Sequence, residues 1–354
     1  MSTAEHYDVV IVGRSIGGLL TAALLAKRRL RVRVINGPPA TACPLPLFGL
    51  ETTPSLYPVL EELGLVHDVR ARLYGPPAPI AIALPDRRFQ FSADPKNRAQ
   101  IFGEVLPDSS EGLLRLFDLI GRVGPALDPL LTGEEPIPLD GSRAEKSVHR
   151  FLVEGPCSSL VDQSLDWPTD PSVHQFVQAL LSVGSGGHQH SKELTPSALR
   201  TLWHLSHGIP SFRDGLQGFS QLIAQKLMSS GGTIEERRSV SHIEVRRNAV
   251  RTVVTTDGGR FTAEAVVLDG GDACLSALWD DYEAPEPEVS EMIVSLPDGD
   301  RPTALVDPCG WLQKTNGSAC AIRVDGNELS LRWPTVAGPP NVDGLIPFHG
   351  GRRG

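Results

Sequence analysis

The stretch from Tyr7 to Asn36, YDVVIVGRSIGGLLTAALLAKRRLRVRVIN, decides how the chain folds. Val9, Val10, Ile11 and Val12 form a short β-branched run that stops at a glycine, the pattern of a fully buried parallel strand. Gly13-Arg14-Ser15-Ile16-Gly17-Gly18 supplies a turn, Leu19 to Lys27 an alanine- and leucine-rich helix, and Arg31 to Ile35 a second strand. Strand, glycine turn, helix and strand within about thirty residues make the first βαβ unit of a dinucleotide-binding fold. The first N–H groups of such a helix lack intrahelical acceptors and carry the positive end of its dipole, so they suit a pyrophosphate. Gly13 permits the tight turn, and Gly18 permits close packing of helix on strand. Ser15 takes the second glycine position, where its small side chain leaves room and its hydroxyl can donate. Asn36 stands where an acidic residue, roughly 20 positions on, would hold the ribose hydroxyls, and an amide oxygen accepts more weakly than a carboxylate.

The rest of the composition narrows the class. With 354 residues the chain can build two intimately joined domains, and its 40% hydrophobic and 21% charged content is ordinary for a globular protein. A net charge of −9 and a pI near 5.6 argue against nucleic acid as a partner, and no basic stripe offsets them. No run of about 18 apolar residues predicts a transmembrane helix, which leaves peripheral membrane contact open. The short polar start, MSTAEHYD, leads straight into a strand rather than reading as a secretory leader. Cys43, Cys157, Cys274, Cys309 and Cys320 are scattered, without a C-x-x-C pair, and read as reduced thiols of a cytoplasmic protein.

Along the chain, Pro54 to Gly64 predicts a helix with Leu56, Val59, Leu60 and Leu63 on one face. Residues 79–92 read as a hairpin turning at Pro85-Asp86. Helices are expected over Leu113–Val123, Ser147–Val153, Val173–Val183 and within Leu194–Gly208, with a proline-rich connection from Pro125 to Asp140. A glycine turn at Gly215 to Gly218 then leads into a helix over Phe219–Met228. Thr233–Arg238 predicts a strand, followed by a hairpin of Ile243–Val245 with Val250–Thr256. After a turn and the short arm Arg260–Thr262, Ala265–Leu268 reads as a buried strand returning to the core sheet. Further strands are expected at Pro302–Val306, Ala319–Val324 and Leu329–Trp333, beyond an acidic, proline-rich linker at Asp280–Val289.

Two of these segments carry a resemblance. DVVIVGRSIGGLLTAALLAKRRLRVRVI, together with the long ordered run from GIPSFRDGLQGF to AEAVVLDGGDA, resembles FAD-dependent oxidoreductases of the phytoene desaturase and flavin amine oxidase type. The resemblance implies an α/β chain, a Rossmann-like FAD/NAD(P)-binding domain with an inserted mixed α+β substrate domain. It divides the chain into a first dinucleotide-binding part over 1–75, a substrate or cap domain over 76–208 and a second dinucleotide-binding part over 209–279. Substrate-domain sheet strands follow over 280–340, and 341–354 reads as a flexible tail. The cofactor-binding set it implies is Gly13, Arg14, Ser15, Ile16, Gly17 and Gly18 at the turn, Asn36 at the end of the second strand, and Val240, whose strand brings backbone toward the adenine. The paired-glycine segment that follows the second strand in the family is replaced here by PPATACPLPLFGLETTP, and no closing Gly-Asp strand with a glycine-led helix is present.

No catalytic residue is named by the sequence. His188 and His190 can share a metal only from an extended segment, and no third ligand is fixed by spacing. His204 and His207, three apart on a helix, read as packing or surface residues. Cys157-Ser158-Ser159 lacks the G-x-S-x-G context of a hydrolase nucleophile. Arg28, Arg29, Arg31 and Arg33 read as a solvated strand face. The resemblance therefore implies an oxidoreductase that oxidises an apolar small molecule by hydride transfer to FAD. A catalytically silent binding or scaffold protein with a protein partner is the alternative, because three cofactor-contacting features are altered. A nicotinamide-dependent dehydrogenase fits the long inserted middle less well.

Overall fold

The computed structural model describes residues 5–37, 56–73, 75–84, 87–127, 141–154, 171–185, 195–210, 212–246, 249–269, 278, 289–295, 309–312, 319–325 and 328–334. They fall into two compact units.

The first unit is built on β1 (Glu5–Val12), α1 (Ile16–Lys27) and β2 (Val32–Asn36). Val10, Ile11, Val12, Val34 and Ile35 are wholly buried. Each contributes about 1.5–3 kcal/mol relative to an exposed position, which is why this stretch is so legible. Two short helices, α2 (Leu56–Leu63) and α3 (Val66–Arg72), belong to the same unit. The chain returns to it through a later helix, Gly215–Ser229, and the strands β5 (Thr233–Arg246), β6 (Ala249–Thr255) and β7 (Arg260–Leu268). Four strands run parallel in the order β5–β2–β1–β7, and β6 lies antiparallel to both β5 and β7, closing the ring. The buried face of α1 is Gly18, Leu19, Ala22, Ala23 and Ala26. These mostly small residues let it lie close to its neighbours, among them the helix Gly215–Ser229.

Three expectations for this unit need correction. The glycines at 215 and 218 are not a turn before a helix but its first turn, entered from Asp214 in a left-handed conformation (φ 66°). The strand and hairpin arm expected over 233–245 are one strand, because β5 pairs its N-terminal half with β2 and its C-terminal half with β6 across register shifts. The arm at 260–262 and the strand at 265–268 are likewise continuous as β7, and Ala265–Leu268 is partly exposed rather than buried. Along Ala265–Leu268 β7 pairs with β1, whereas β6 reaches only Arg260–Thr262.

The second unit carries a six-stranded sheet, β4 (Arg88–Phe91), β3 (Ile80–Ala83), β9 (Cys309–Leu312), β10 (Ala319–Asp325), β11 (Glu328–Pro334) and β8 (Val289–Ser295), in that order. The helices are α4 (Pro95–Val105), α5 (Ser110–Leu127), α6 (Gly141–Glu154), α7 (Pro171–Ser185) and α8 (Pro196–Leu205); the helix Gly215–Ser229 of the first unit is α9. Phe91, Phe102, Phe117 and Phe176 interlock in its core with ring centroids 5.2–6.4 Å apart. The Arg98 guanidinium lies over the Phe117 ring at 4.8 Å and donates to the Ser206 carbonyl at 3.1 Å. Burial holds its pKa below the ordinary arginine value, against the attraction of Asp94. Helix α5 runs on through Pro125 instead of stopping before it, since Val123 and Leu127 bury on the face already begun by Leu113 and Leu116. The strand expected at 302–306, the linker at 280–289 except Val289, which begins β8, the tail and His188 and His190 lie outside the described residues.

Candidate functional site

Parallel pairing of β1 and β7 sets the site. Val12 lies opposite Leu268, so Gly13 and Asp269 leave the sheet at the same level. Asp269 N–H donates to the Val12 carbonyl at 2.7 Å, and Gly13 N–H to the Ile35 carbonyl at 2.9 Å. Gly13 adopts φ +123°, which L side chains rarely do, and a Cβ there would collide with the Asp269 carbonyl oxygen.

Ser15 then caps α1. With φ −65° and ψ 167°, it places its Oγ to accept the Gly18 N–H at 3.3 Å, the geometry that makes serine a strong N-cap. The Asp269 carboxylate closes on the same residue. Its Oδ2 accepts the Ser15 N–H at 2.7 Å and its Oδ1 accepts the Ser15 hydroxyl at 2.6 Å. An anion therefore sits at the N-terminus of α1, where the dipole favours one, and that anion is a side chain from the end of β7. A Cβ on Gly18 would strike this carboxylate, so glycine is required there by Asp269 rather than by helix-on-strand packing. Ile16 and Gly17 supply the next N–H groups, which by position have no intrahelical acceptor.

The other site residues of the sequence fall around this turn. Arg14 pairs with Glu236 of β5 at 3.5 Å, with side chains 35% and 70% exposed. The Asn36 Nδ2 donates to the Glu236 backbone carbonyl at 2.9 Å, which leaves its Oδ1 as the acceptor. Val240 is 3% exposed within the core formed by Tyr7, Val10, Val12 and Ile35, so only its backbone is available to a ligand. Asp269 and Glu236 were not found by sequence reasoning. Their placement depends on strand register, and the one local signal was an acidic residue directly after the strand Ala265–Leu268.

Of the basic run, Arg28, Arg29 and Arg31 are exposed as expected, and Arg33 departs from the solvated face. Arg33 is 14% exposed and pairs with Glu5 and Glu235, each at 2.7 Å, while its guanidinium lies 4.5 Å above the Phe261 ring. It also donates to the Tyr7 hydroxyl, which in turn donates to Glu5 at 2.7 Å. Desolvation opposes the charge on Arg33, but hydrogen bonds to Glu235 and Tyr7 leave its pKa raised. The Tyr7 hydroxyl and the Arg33 charge hold the Glu5 carboxyl below its ordinary value, against the opposing effect of desolvation. This network braces β1, β2 and β5. Arg28 is paired too, with Glu62 at 3.1 Å.

Within the second unit, a cleft of about 750 Å³ is lined by Pro76, Pro77, Gln90, Asp94, Asn97 and Gln100 among others. None of the expected cofactor residues lines it. His204 is buried, and the ring of His207 packs edge-on against Trp203 at 4.1 Å. Among the described residues no group of three or more His, Cys, Asp or Glu side chains is arranged to hold a metal, and no helix is long and apolar enough to cross a membrane.

Comparison with known families decides the identity. The flavin containing amine oxidoreductase family matches residues 44–269, well over half of the chain. The chain belongs to that family. Among solved structures, the Rab GDI of Plasmodium falciparum superposes with a TM-score of 0.51 at 10% identity, covering 97% of this chain and 86% of the other. An oxidoreductase from Methanosarcina mazei gives a TM-score of 0.46 at 13% identity, covering 92% and 78%. At 10% identity, the first likeness is one of fold alone. No curated protein matches the sequence.

FAD is the cofactor that comes with the family, and the residues at the turn fit its pyrophosphate. The donor set is that of an anion seat, and the Asp269 carboxylate stands in it as a phosphate oxygen would. Ser15, Ile16 and Gly17 are the residues that would hold the phosphates, with Asn36 at the ribose end. The matched region begins beyond the glycine turn and ends at Asp269, so the turn and the family match are independent indications.

Proposed function

We propose that the protein is an FAD-dependent oxidoreductase that oxidises an apolar small molecule by hydride transfer to flavin. The observation that carries this reading is the anion-seating turn Gly13–Gly18 at the carboxyl end of β1, in a chain of the flavin amine oxidoreductase family. Bound FAD supplies the hydride acceptor, and the protein positions and tunes it. In this chain Gly13 lets the backbone turn, Ser15 fixes the start of α1, and the Ile16 and Gly17 N–H groups face the diphosphate. Arg14 adds positive charge beside it, Asn36 accepts from the ribose, and the backbone at Val240 lies beside the adenine. The substrate domain is the second unit, residues 76–208 together with the sheet strands of 280–340, whose Phe-rich core gives it an independent hydrophobic centre.

A second reading, a catalytically silent binding or scaffold protein of the same fold, is favoured by one observation. Asp269 already occupies the seat and uses both donors of Ser15. The absorbance spectrum of the purified protein, before and after incubation with FAD and removal of the excess, separates the two. Flavin bands near 375 and 450 nm, roughly where this cofactor absorbs, at about one flavin per chain support the oxidoreductase. A folded protein that stays colourless overturns it.

A further inference from the structure

We propose that Glu236, on β5, supplies the carboxylate that receives the ribose hydroxyls of the adenosine moiety, in place of the acidic residue absent from the end of β2. The inference rests on the FAD reading above.

The argument begins with the strand register. β2 and β5 pair regularly as Arg33 with Thr233, Val34 with Ile234 and Ile35 with Glu235, and then the ladder slips so that Asn36 pairs with Ser239. Glu236, Arg237 and Arg238 are therefore spare. They have no partner on β2 in register, as in a bulge, a feature that re-aims side chains at the ends of strands. Two contacts fix the direction in which Glu236 leaves the sheet. Asn36 Nδ2 donates to its backbone carbonyl at 2.9 Å. Arg14, inside the glycine turn, holds its carboxylate at 3.5 Å. The carboxylate remains 70% exposed, so it is held in place yet open to a ligand.

The position is the one the chemistry asks for. In a dinucleotide-binding βαβ unit the ligand lies outside the carboxyl ends of the parallel strands, with its pyrophosphate on the first helix and its ribose near the end of the second strand. Glu236 is tied to both landmarks, to the turn through Arg14 and to the end of β2 through Asn36. A vicinal diol offers two O–H donors, and a carboxylate has acceptor capacity for both.

The same geometry explains why residue 36 is an asparagine. An aspartate there, ionised, could not donate to the Glu236 carbonyl. The amide at 36 and the carboxylate at 236 thus form one arrangement, in which the donor on β2 positions the acceptor on β5. As a mere surface ion pair, Arg14–Glu236 would contribute little to stability, and it would not discriminate between ligands.

The test uses the full chain with ADP, 2′-deoxy-ADP and FAD as probes, read by isothermal titration. Glu236→Gln keeps the shape of the side chain and removes its charge at an exposed position, and circular dichroism checks that the fold is retained. The wild type is expected to bind ADP about tenfold more tightly than 2′-deoxy-ADP, the value of roughly one charge-assisted hydrogen bond. Glu236→Gln is expected to lose about tenfold for ADP and for FAD and to discriminate less between ADP and 2′-deoxy-ADP than the wild type, because an amide oxygen accepts more weakly than a carboxylate. Undiminished discrimination in Glu236→Gln, or unchanged ADP affinity, overturns the assignment while leaving the FAD reading intact. A wild type that binds neither FAD nor ADP overturns both.

Discussion

Replacing Asp269 by asparagine should loosen the apoprotein and tighten its grip on FAD. Asp269 accepts two hydrogen bonds from Ser15, at 2.7 and 2.6 Å, at the positive end of α1. Neutralising an anion at a helix N-terminus costs about 0.3–1 kcal/mol at an exposed site, and weakening two charge-assisted bonds adds to that. The urea midpoint of the apoprotein should therefore fall by an amount equivalent to about 1 kcal/mol. The effect on FAD has the opposite sign. A carboxylate and a phosphate about 4 Å apart repel by roughly 1 kcal/mol in bulk water and about 4 kcal/mol at an effective dielectric of 20. Ser15 is exposed, which places the site toward the lower figure. Removing the charge should raise FAD affinity about tenfold, since 1.4 kcal/mol is a factor of ten. Flavin fluorescence titration measures the dissociation constant, and raising the salt to about 1 M should narrow the difference between variant and wild type by screening. Weaker or unchanged FAD binding by Asp269→Asn would refute the idea that this carboxylate competes for the phosphate seat.

Gly13→Ala should destabilise the protein by at least about 1–3 kcal/mol from backbone strain alone, since residue 13 has φ +123° and its new Cβ would meet the Asp269 carbonyl; thermal melting checks this, and a melting point equal to wild type would contradict it. Phe176→Ala removes a fully buried ring packed against Phe91, Phe102 and Phe117 and should cost about 3–5 kcal/mol, measured by denaturant unfolding. At the β6–β7 turn, the Thr255 hydroxyl at 2.6 Å, then the Gly259 N–H and the Arg238 charge, hold the Asp257 carboxyl below its ordinary value. A lowered carboxyl pKa stabilises the fold above the unfolded-state value, and that share is lost as pH falls through the folded one. The urea midpoint of Asp257→Asn should accordingly show a shallower acid decline than wild type below the ordinary aspartate range.

How much of this was legible in the sequence depends on the range of the interaction. Val9–Val12, the glycine turn, the alanine-rich helix and the second strand were readable because strand, turn and helix signals there are local and most of their apolar side chains are buried. The helices over 113–123 and 173–183 were readable for the same reason, each with an apolar face at helical spacing. Boundaries were less secure where tertiary packing outweighed a local breaker. Pro125 was expected to end a helix, and burial of Leu127 carried it on. Gly215 and Gly218 were expected to form a turn, and they begin a helix. β5 looked like two strands because no single partner spans it; it changes partner from β2 to β6 midway.

The candidate site divides along the same line. By itself, the sequence determined the family-like βαβ unit, the serine at the second glycine position and the lack of an acid at position 36, all matters of residue type at fixed local spacing. Only the tertiary structure decided what occupies the turn and what stands beside Asn36. Asp269 lies 254 residues from Ser15, and Glu236 lies 200 from Asn36. Asp269 meets Ser15 because the parallel strands β1 and β7 fix their neighbours by register, and Glu236 meets Asn36 where the β2–β5 register slips. No local pattern of side chains encodes which residue of a distant strand will arrive at a given level.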